Sequence, residues 1–202
     1  MPAVIILVAL VIYYLLIYHY MIKPKQAALE ESNKKLNLLY ELSIGFHESL
    51  TFEDSFQRIL NRFIGIVNAE VASLFILDDK REFFYCPVAV GPTSDEIEKI
   101  KVAYGQGIVS AVEKDKKPLL LNNVSNEKNH FKGIDEKINF QTKSMICVPL
   151  FVSDKFKGAI QVINKKDGSA FTEADANLLD TIANLTAIAI NNANLIKQLR
   201  QK

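Results

Sequence analysis

Tryptophan is absent from this chain of 202 residues, and cysteine, histidine and glycine number only two, three and eight. Two cysteines are too few for a disulfide scaffold or a four-thiolate metal site. An excess of charge of one sign is also lacking, because 24 Lys and Arg accompany 23 Asp and Glu. This balance excludes a basic nucleic-acid-binding protein and an acidic tail. The hydrophobic fraction of 49% excludes a disordered chain.

Charged residues are missing from the first 22 positions, of which 20 are hydrophobic. Residues 3–22 are long enough to cross a hydrocarbon core as a helix, whereas a cleaved signal has a basic start and a shorter core. We therefore predict a transmembrane anchor over residues 1–22. All nearby lysines follow the span, at Lys23, Lys25, Lys34 and Lys35. The positive-inside rule then predicts a single-pass protein of the inner or cell membrane whose soluble domain is cytoplasmic.

The residues after the span show helical and then strand patterns. Residues 23–47 read as a linker or signalling helix, and an amphipathic helix follows Thr51, which is a candidate cap. Two hairpins, at residues 71–90 and 144–164, enclose a short helix over Asp95–Lys101, a second helix opened by Gly105–Gly107 and a short strand at Leu119–Leu121. These patterns predict an α+β domain over residues 48–176, with a mostly antiparallel central sheet flanked by helices.

The last predicted helix covers residues 172–202 and begins with a capping signature at Thr172 and Asp175. Two interleaved series of residues seven apart follow it: Leu178, Leu185, Asn192 and Leu199, and Ile182, Ala189 and Ile196. Such a heptad predicts a parallel dimeric coiled coil and hence a homodimer. One face that simply packs on the sheet is the alternative.

Seven segments follow one another in a recognisable order: Ala72–Ile76, Gly105–Ile108, Lys117–Leu120, Ser144–Leu150, Gly158–Lys165, Phe171–Asp175 and Ala187–Ala193. This order resembles a GAF domain, the small-ligand sensor module of phosphodiesterases, cyclases and phytochromes. The resemblance covers roughly residues 45–195 and implies a GAF-like fold.

Cyclic-nucleotide-binding members of the family share a spaced Asn-Lys, Phe and Asp-Glu pattern. Asn164, Lys165, Phe171 and Asp175 match it, but Ala176 stands where the final Glu would be. The residues themselves suggest a structural role, in which Lys165 pairs with Asp175 and joins a strand to the last helix. The pattern therefore indicates the fold more than a cyclic nucleotide.

In the family, the ligand lies between one sheet face and the middle helices, under a polar loop. The resemblance therefore implies a site formed by Ser73 and Phe75 of the first strand, the helix start and the loop 122–143. The helix start contributes Gly107, Ile108 and Val109, and the loop contributes Asn123, Val124 and Phe131. Plain core packing is the alternative for Ser73, Phe75 and Val109.

Catalytic and cofactor signatures are scarce. No phosphate-binding Gly-Lys-Ser/Thr loop, His-Glu-x-x-His or Cys-x-x-Cys occurs, and the three histidines are scattered, so no metal site is expected. His130 is the residue that a haem would use, as in a few family members. One enzymatic branch reduces free methionine sulfoxide with several pocket cysteines, a set that Cys86 and Cys147 do not reproduce. No catalytic residue is assigned, and we expect a protein that is not an enzyme.

These observations predict a membrane-anchored cytoplasmic sensor that binds a small ligand and signals through dimeric terminal helices to a downstream protein. The sequence leaves the ligand unidentified and gives no reason to expect nucleic acid. A ligand-free dimerisation or scaffold module at the membrane is the alternative. A sealed interior with no polar lining would favour the scaffold.

Overall fold

The computed structural model describes residues 12–26, 52–125, 135, 139–152 and 154–200, with side chains in the last helix as far as Ile188. The chain divides into two units, residues 1–37 and 38–202. In the first unit, residues 12–26 are helical and include a π-helical turn at Tyr18–Ile22. In the part of the chain that is described, no helix has both the length and the apolar character needed to cross a membrane. Residues 27–47 of the predicted linker helix lie outside that part, as do residues 1–11 of the predicted anchor and the Thr51 cap.

The second unit is built on a six-stranded sheet in the order β3-β2-β1-β6-β5-β4, in which every neighbouring pair is antiparallel. The strands are β1 (Ala69–Leu77), β2 (Phe83–Val90), β3 (Lys101–Ala103), β4 (Leu119–Leu121), β5 (Met145–Val152) and β6 (Lys155–Lys165). The helices are α1 (Phe52–Ile66), α2 (Ser94–Ile97), α3 (Gly107–Asp115) and α4 (Glu173–Arg200). The α+β fold and both predicted hairpins are therefore confirmed.

Alternation along the strands separates the interior into two hydrophobic clusters. In β1, Ala72 and Leu74 face the cluster that includes α1 and α4, whereas Val71 and Phe75 face the one that includes α2 and α3. Successive side chains of a strand point to opposite faces, so one sheet covers both clusters. Helices α1 and α4 pack on the first face, and α2 and α3 pack on the second.

A β-bulge in the β1–β2 pair allows a proline to lie inside the sheet. The register passes from Leu74 opposite Val88 to Ile76 opposite Tyr85, which leaves Cys86 and Pro87 opposite Phe75. A bulge leaves one residue without a ladder hydrogen bond, and Pro87 has no N–H to donate. The extra residue also changes the face, because Cys86 packs beside α3 and Val88 packs beside α1.

Two boundaries differ from those predicted. The helix predicted over Asp95–Lys101 ends at Ile97, and Lys101–Ala103 pairs with β2 as a strand. Strand β6, which the sequence predicts over Gly158–Asn164, begins at Lys155. Gly158 lies inside the sheet with φ of +153°, and a Cβ there would lie 1.9 Å from the carbonyl oxygen of Phe75. The glycine that suggested a strand end instead permits two backbones to approach closely.

Helix α4 packs its first half against the sheet. Leu178, Ile182 and Ala187 are buried in the cluster on that face, and Leu185 packs against it. The first positions of the predicted heptad therefore face the sheet, as the alternative interpretation of that heptad held. The later positions, Ala189, Asn192, Ile196 and Leu199, lie beyond the side chains that the structure describes.

Candidate functional site

A cavity of about 60 Å³ lies between the sheet and α3. Eight of its lining residues are apolar: Phe75, Ile97, Val102, Ile108, Val109, Phe140, Met145 and Ile163. The others are Ser73, Gly107, Asp135, Thr142 and Gln161. The cavity is therefore mainly apolar, with a small number of polar groups that could orient a ligand.

A row of side chains crosses the sheet beneath the cavity. Ser73 of β1 is paired with Gln161 of β6, which is paired with Cys147 of β5. Directly opposed residues in antiparallel strands place their side chains on the same face. The hydroxyl of Ser73 is buried at 1% exposure and has no hydrogen-bond partner. A buried polar group without a partner is costly, so Ser73 is the strongest sign of a ligand site.

Gln161 is the second polar side chain of this row. Its Nε2 lies 3.7 Å from Sγ of Cys147 and 3.9 Å from Sδ of Met145. Sulfur is a weak hydrogen-bond acceptor. The amide N–H groups are therefore available for a stronger acceptor in the cavity.

The start of α3 forms one wall of the cavity. Gly107 has φ of +71°, a value that favours glycine, and Gln106 before it makes no side-chain cap. The first backbone N–H groups of a helix lack partners within the helix. Ile108 and Val109, in this first turn, line the cavity. The wall therefore presents hydrogen-bond donors and the positive end of a helix dipole.

A carboxylate lines the cavity near the beginning of β5. The backbone N–H of Thr142 donates to Oδ2 of Asp135 at 2.8 Å, and the Thr142 hydroxyl donates to Oδ1 at 2.8 Å. These bonds orient Asp135. Of the lining residues that the structure describes, Asp135 is the only charged one. The cavity is thus lined by a carboxylate near the start of β5 and by the first turn of α3 on another side.

Asn164 fixes the chain that returns from the loop to β5. Its Oδ1 accepts from the N–H groups of Lys143 and Ser144, and its Nδ2 donates to Gln141 O and to a carboxylate oxygen of Glu70. The side chain is 4% exposed, and φ is +54°. Asparagine tolerates this left-handed conformation better than most residues. The Asn164 amide therefore connects the returning loop with the start of β1, through Glu70, and with the end of β6, on which Asn164 lies.

The rest of the Asn-Lys, Phe and Asp pattern joins β6 to α4. Lys165 Nζ lies 3.0 Å from Oδ2 of Asp175, and it lies over the ring of buried Phe171. Asp175 and Thr172 cap α4 reciprocally, since each backbone N–H donates to the other side chain. The predicted ion pair and capping signature are both present. The Asn122 amide adds a connection that the sequence did not indicate. Its Nδ2 donates to the carbonyl oxygen of Phe171, and its Oδ1 accepts from the N–H of Phe171.

The structure brings together five of the eight ligand residues that the resemblance implied. Ser73, Phe75, Gly107, Ile108 and Val109 line the cavity, but Asn123 and Val124 do not. Asn123 is exposed, and Val124 is buried with its N–H bonded to Lys143 O. Phe131 and His130 lie outside the residues that the structure describes.

Sequence reasoning missed Gln161, Thr142 and Asp135. Gln161 carried a usable signal, because it is the one polar residue in the run Gly158–Ile163. Asp135 and Thr142 carried none, since their placement depends on the path of a long loop.

A second cavity, open to solvent, lies where the two hairpin turns meet the end of α3. Arg81, Tyr104 and Glu113 bond one another there through their side chains. This mutual pairing raises the pKa of Arg81, chiefly through its bond to Glu113. Because these side chains are already paired with one another, the second cavity gives little reason to expect a ligand. Nowhere in the described part of the chain do three His, Cys, Asp or Glu side chains gather as metal ligands.

Comparison with known proteins agrees with this architecture. The family model of the GAF domain matches residues 51–190. A probable 3',5'-cyclic phosphodiesterase pde-5 of Caenorhabditis elegans is 25% identical over 165 residues, which are 77% of this chain and 22% of that protein. The chain spans between 14% and 22% of the length of three such curated relatives.

Two solved structures share the fold. The GAF domain of a phosphoenolpyruvate-protein phosphotransferase from Coxiella burnetii has a TM-score of 0.71 and 17% identity, over 82% of this chain and 97% of that one. A free methionine-R-sulfoxide reductase from Neisseria meningitidis, solved with its substrate, has a TM-score of 0.67 and 14% identity, over 83% and 93%.

Proposed function

Because this chain belongs to the GAF domain family, we propose that it is a regulatory sensor that binds a small ligand in the cavity between the sheet and α3. The observation that carries the proposal is the buried hydroxyl of Ser73, which lines that cavity without a partner. A ligand would supply the missing hydrogen bond. The polar lining also favours the sensor over a ligand-free scaffold, whose interior needs no polar group.

The size of the cavity argues against a cyclic nucleotide, although relatives of this chain are named as cyclic phosphodiesterases. A volume of about 60 Å³ holds roughly four to six water-sized groups. A purine, ribose and phosphate need far more space. The pattern Asn164, Lys165, Phe171 and Asp175 is engaged in bonds that hold the fold together, so it is not available to a ligand.

The proposal does not include catalysis. Burial raises the pKa of both thiols, of Cys86 and of Cys147, to about 12. At neutral pH they are therefore protonated, and a thiol in this state is a poor nucleophile.

The proposal places the sensor at a membrane, anchored by residues 1–22, with its domain in the cytoplasm. Support comes from the uncharged, apolar sequence of this segment and the lysines after it. In residues 12–26, large side chains are exposed, including Tyr13, Tyr14 and Tyr20. A row of exposed apolar and aromatic side chains is suited to lipid.

Native mass spectrometry of the full chain, purified in a mild detergent, tests the sensor. We expect an excess mass that disappears on denaturation. Ser73→Trp fills the cavity and removes the adduct, and Ser73→Ala weakens it by removing the hydroxyl with little change of volume. Ser169→Trp, in an exposed turn, is the control and keeps it. A chain with no adduct and no thermal shift against a metabolite panel favours the scaffold.

Signal output through paired terminal helices is the second part of the proposal. It rests on the heptad positions of α4 beyond Ala187, where the helix continues to Arg200. Ile196→Asp with Leu199→Asp alters this segment without touching the buried Leu178 and Ile182. We expect a monomer by light scattering where the parent chain is a dimer. A dimer that persists in the double variant contradicts this interface.

A further inference from the structure

Two polar side chains lie next to each other on the sheet beneath the cavity, and neither has a strong hydrogen-bond partner. Ser73 of β1 is paired in register with Gln161 of β6, and both line the cavity between the sheet and α3. Their exposed fractions are 1% and 8%. A buried polar group that lacks a partner is costly, and one molecule that bonds both side chains would remove this cost.

The Gln161 amide keeps both a donor and an acceptor for a ligand. Its Nε2 lies 3.7 Å from Sγ of Cys147 and 3.9 Å from Sδ of Met145, and sulfur is a weak acceptor. Both contacts are made by Nε2, and no described residue donates to the carbonyl oxygen Oε1. The Ser73 hydroxyl beside it is also able to donate and to accept.

A second amide is the group that complements a side-chain amide, because each presents a donor and an acceptor in one plane. The carbonyl oxygen of such a ligand accepts from Nε2 of Gln161, and its N–H donates to Oε1. A carbonyl oxygen has two lone pairs, so it also accepts from the hydroxyl of Ser73 on the neighbouring strand. A ketone or a carboxylate of the same shape lacks the donor and leaves Oε1 unpaired. A carboxamide is also uncharged, so its burial needs no counter-ion.

The apolar walls limit the rest of the ligand. Phe75 and Ile163 follow Ser73 and Gln161 by two residues, so they lie on the same face of the sheet and line the same cavity. Helix α3 covers this row, since the carbonyl oxygen of Ile108 is 4.0 Å from Sγ of Cys147. A volume of about 60 Å³ holds roughly four to six water-sized groups, of which a carboxamide takes about three. Room therefore remains for a short aliphatic group.

We propose that this cavity binds a small aliphatic molecule through a primary carboxamide, which pairs with the Gln161 amide and accepts a hydrogen bond from Ser73. The inference rests on the proposed sensor function and names the ligand class of the same site. Gln161 distinguishes a carboxamide from other carbonyl compounds, because it bonds both the oxygen and the nitrogen of the ligand. Ser73 bonds the oxygen alone, and the apolar walls exclude larger groups.

Titration followed by the NMR signals of the ligand tests the class on the full chain in mild detergent, with micelles alone as the blank. Any bound ligand is first removed by unfolding and refolding. The probes are propionamide, butanone, propionate and the larger benzamide. Butanone and propionate have the shape of propionamide, but a methyl group or an oxygen anion replaces its amino group. We expect propionamide to bind with a Kd between about 0.1 and 10 mM. Butanone and propionate should bind at least about tenfold more weakly, and benzamide should not bind.

Variants assign the bonds to the two side chains. Gln161→Met keeps the length of the side chain and removes the amide, so it should weaken propionamide at least about tenfold and abolish its preference over butanone. Ser73→Ala should weaken both compounds by a similar factor, since both carry the carbonyl oxygen. If Gln161→Met weakens both compounds alike and the preference persists, the cavity was merely loosened and the pairing is wrong. Gln57→Met, at an exposed position of α1, is the matched control and should alter neither.

The outcomes separate this inference from the function on which it rests. Butanone, propionate or benzamide binding as tightly as propionamide overturns the assignment of a small carboxamide and keeps the sensor. Where no probe binds, the adduct found by native mass spectrometry decides. An adduct with a primary carboxamide supports the assignment, and an adduct without one overturns it and keeps the sensor. If no probe binds and no adduct is found, both proposals fail.

Discussion

At the scale of the residue, the side-chain amide of Asn164 makes several of the hydrogen bonds that hold the loop. Asn164 satisfies four hydrogen bonds while holding a left-handed backbone conformation. Its position at the end of β6 places it where the loop returns beneath the cavity. The loop therefore depends on Asn164 for its path, and the Asp135 end of the cavity depends on the loop.

Asn164→Gly isolates the side-chain bonds, because glycine tolerates φ of +54°. We expect the free energy of unfolding to fall by about 2–4 kcal/mol, at roughly 1 kcal/mol for each lost bond. Urea unfolding measures it. Asn68→Gly is the matched control, since Asn68 has φ of +55° but is exposed. An equal loss in both variants would show that the bonds of Asn164 contribute little.

The resemblance to the GAF family implied Ser73 and the start of α3 as site residues, and both lie in segments that carry the resemblance, Ala72–Ile76 and Gly105–Ile108. It placed Asn123 and Val124 in the site as well, but these residues form the base of the loop. Val124 is bonded there to Lys143, away from the cavity lining. Positions inside a long polar loop follow from tertiary contacts, which neither periodicity nor propensity encodes.

At the scale of the element, the link between β6 and α4 is an ion pair shielded from solvent. The side chains of Lys165 and Asp175 are 12% and 13% exposed. The interaction is therefore screened less than a surface pair would be. It joins the strand beneath the cavity to the helix that leaves the domain.

A double-mutant cycle of Lys165→Met and Asp175→Asn measures this link. Both changes keep side-chain size, and Asn keeps an acceptor for the cap of α4. We expect a coupling of about 1–2 kcal/mol by urea unfolding. The exposed pair Arg81 and Glu113, changed to Met and Gln, should couple by less than about 1 kcal/mol. Additive effects of Lys165→Met and Asp175→Asn would contradict a stabilising role.

Elements with a long apolar pattern were predictable, and short ones were not. Strand β3 has only three residues, of which Val102 alone is buried. It is too short for an alternating pattern to be recognised in the sequence. The acidic run before it favoured a longer helix than the chain forms. Its pairing with β2 is what makes Lys101–Ala103 a strand, and that pairing is a tertiary contact.

At the scale of the whole molecule, the two buried thiols make stability depend on alkaline pH. Desolvation is the main cause that raises the pKa of each thiol to about 12, and for Cys86 the charge of Glu98 adds to it. An unfolded thiol titrates near 8.5. The folded state therefore keeps protons that the unfolded state has lost, and stability falls as pH rises from about 9 through 12.

Urea unfolding at several pH values between 8 and 11 tests this dependence. Relative to Cys147→Ala, the parent chain should lose up to about 1.4 kcal/mol more for each pH unit above 9. Tyrosine and lysine titrate equally in both chains, so the difference isolates the thiol. Parallel pH profiles would mean that Cys147 reaches solvent in the folded state.

One sheet separates the two hydrophobic clusters. Residues that line the cavity can therefore change without changing the packing of α1 and α4. Substitutions beneath α3 alter what the cavity accepts, while α1 and α4 keep their packing on the opposite face. An engineer could therefore rebuild the sensing side of this chain and leave the helices that connect it to other segments untouched. The same separation constrains signalling, because a conformational change at the cavity reaches α1 and α4 only through the strands or around their ends. Asn164 and Lys165 are neighbours in the chain, and they bond the returning loop on one side and α4 on the other.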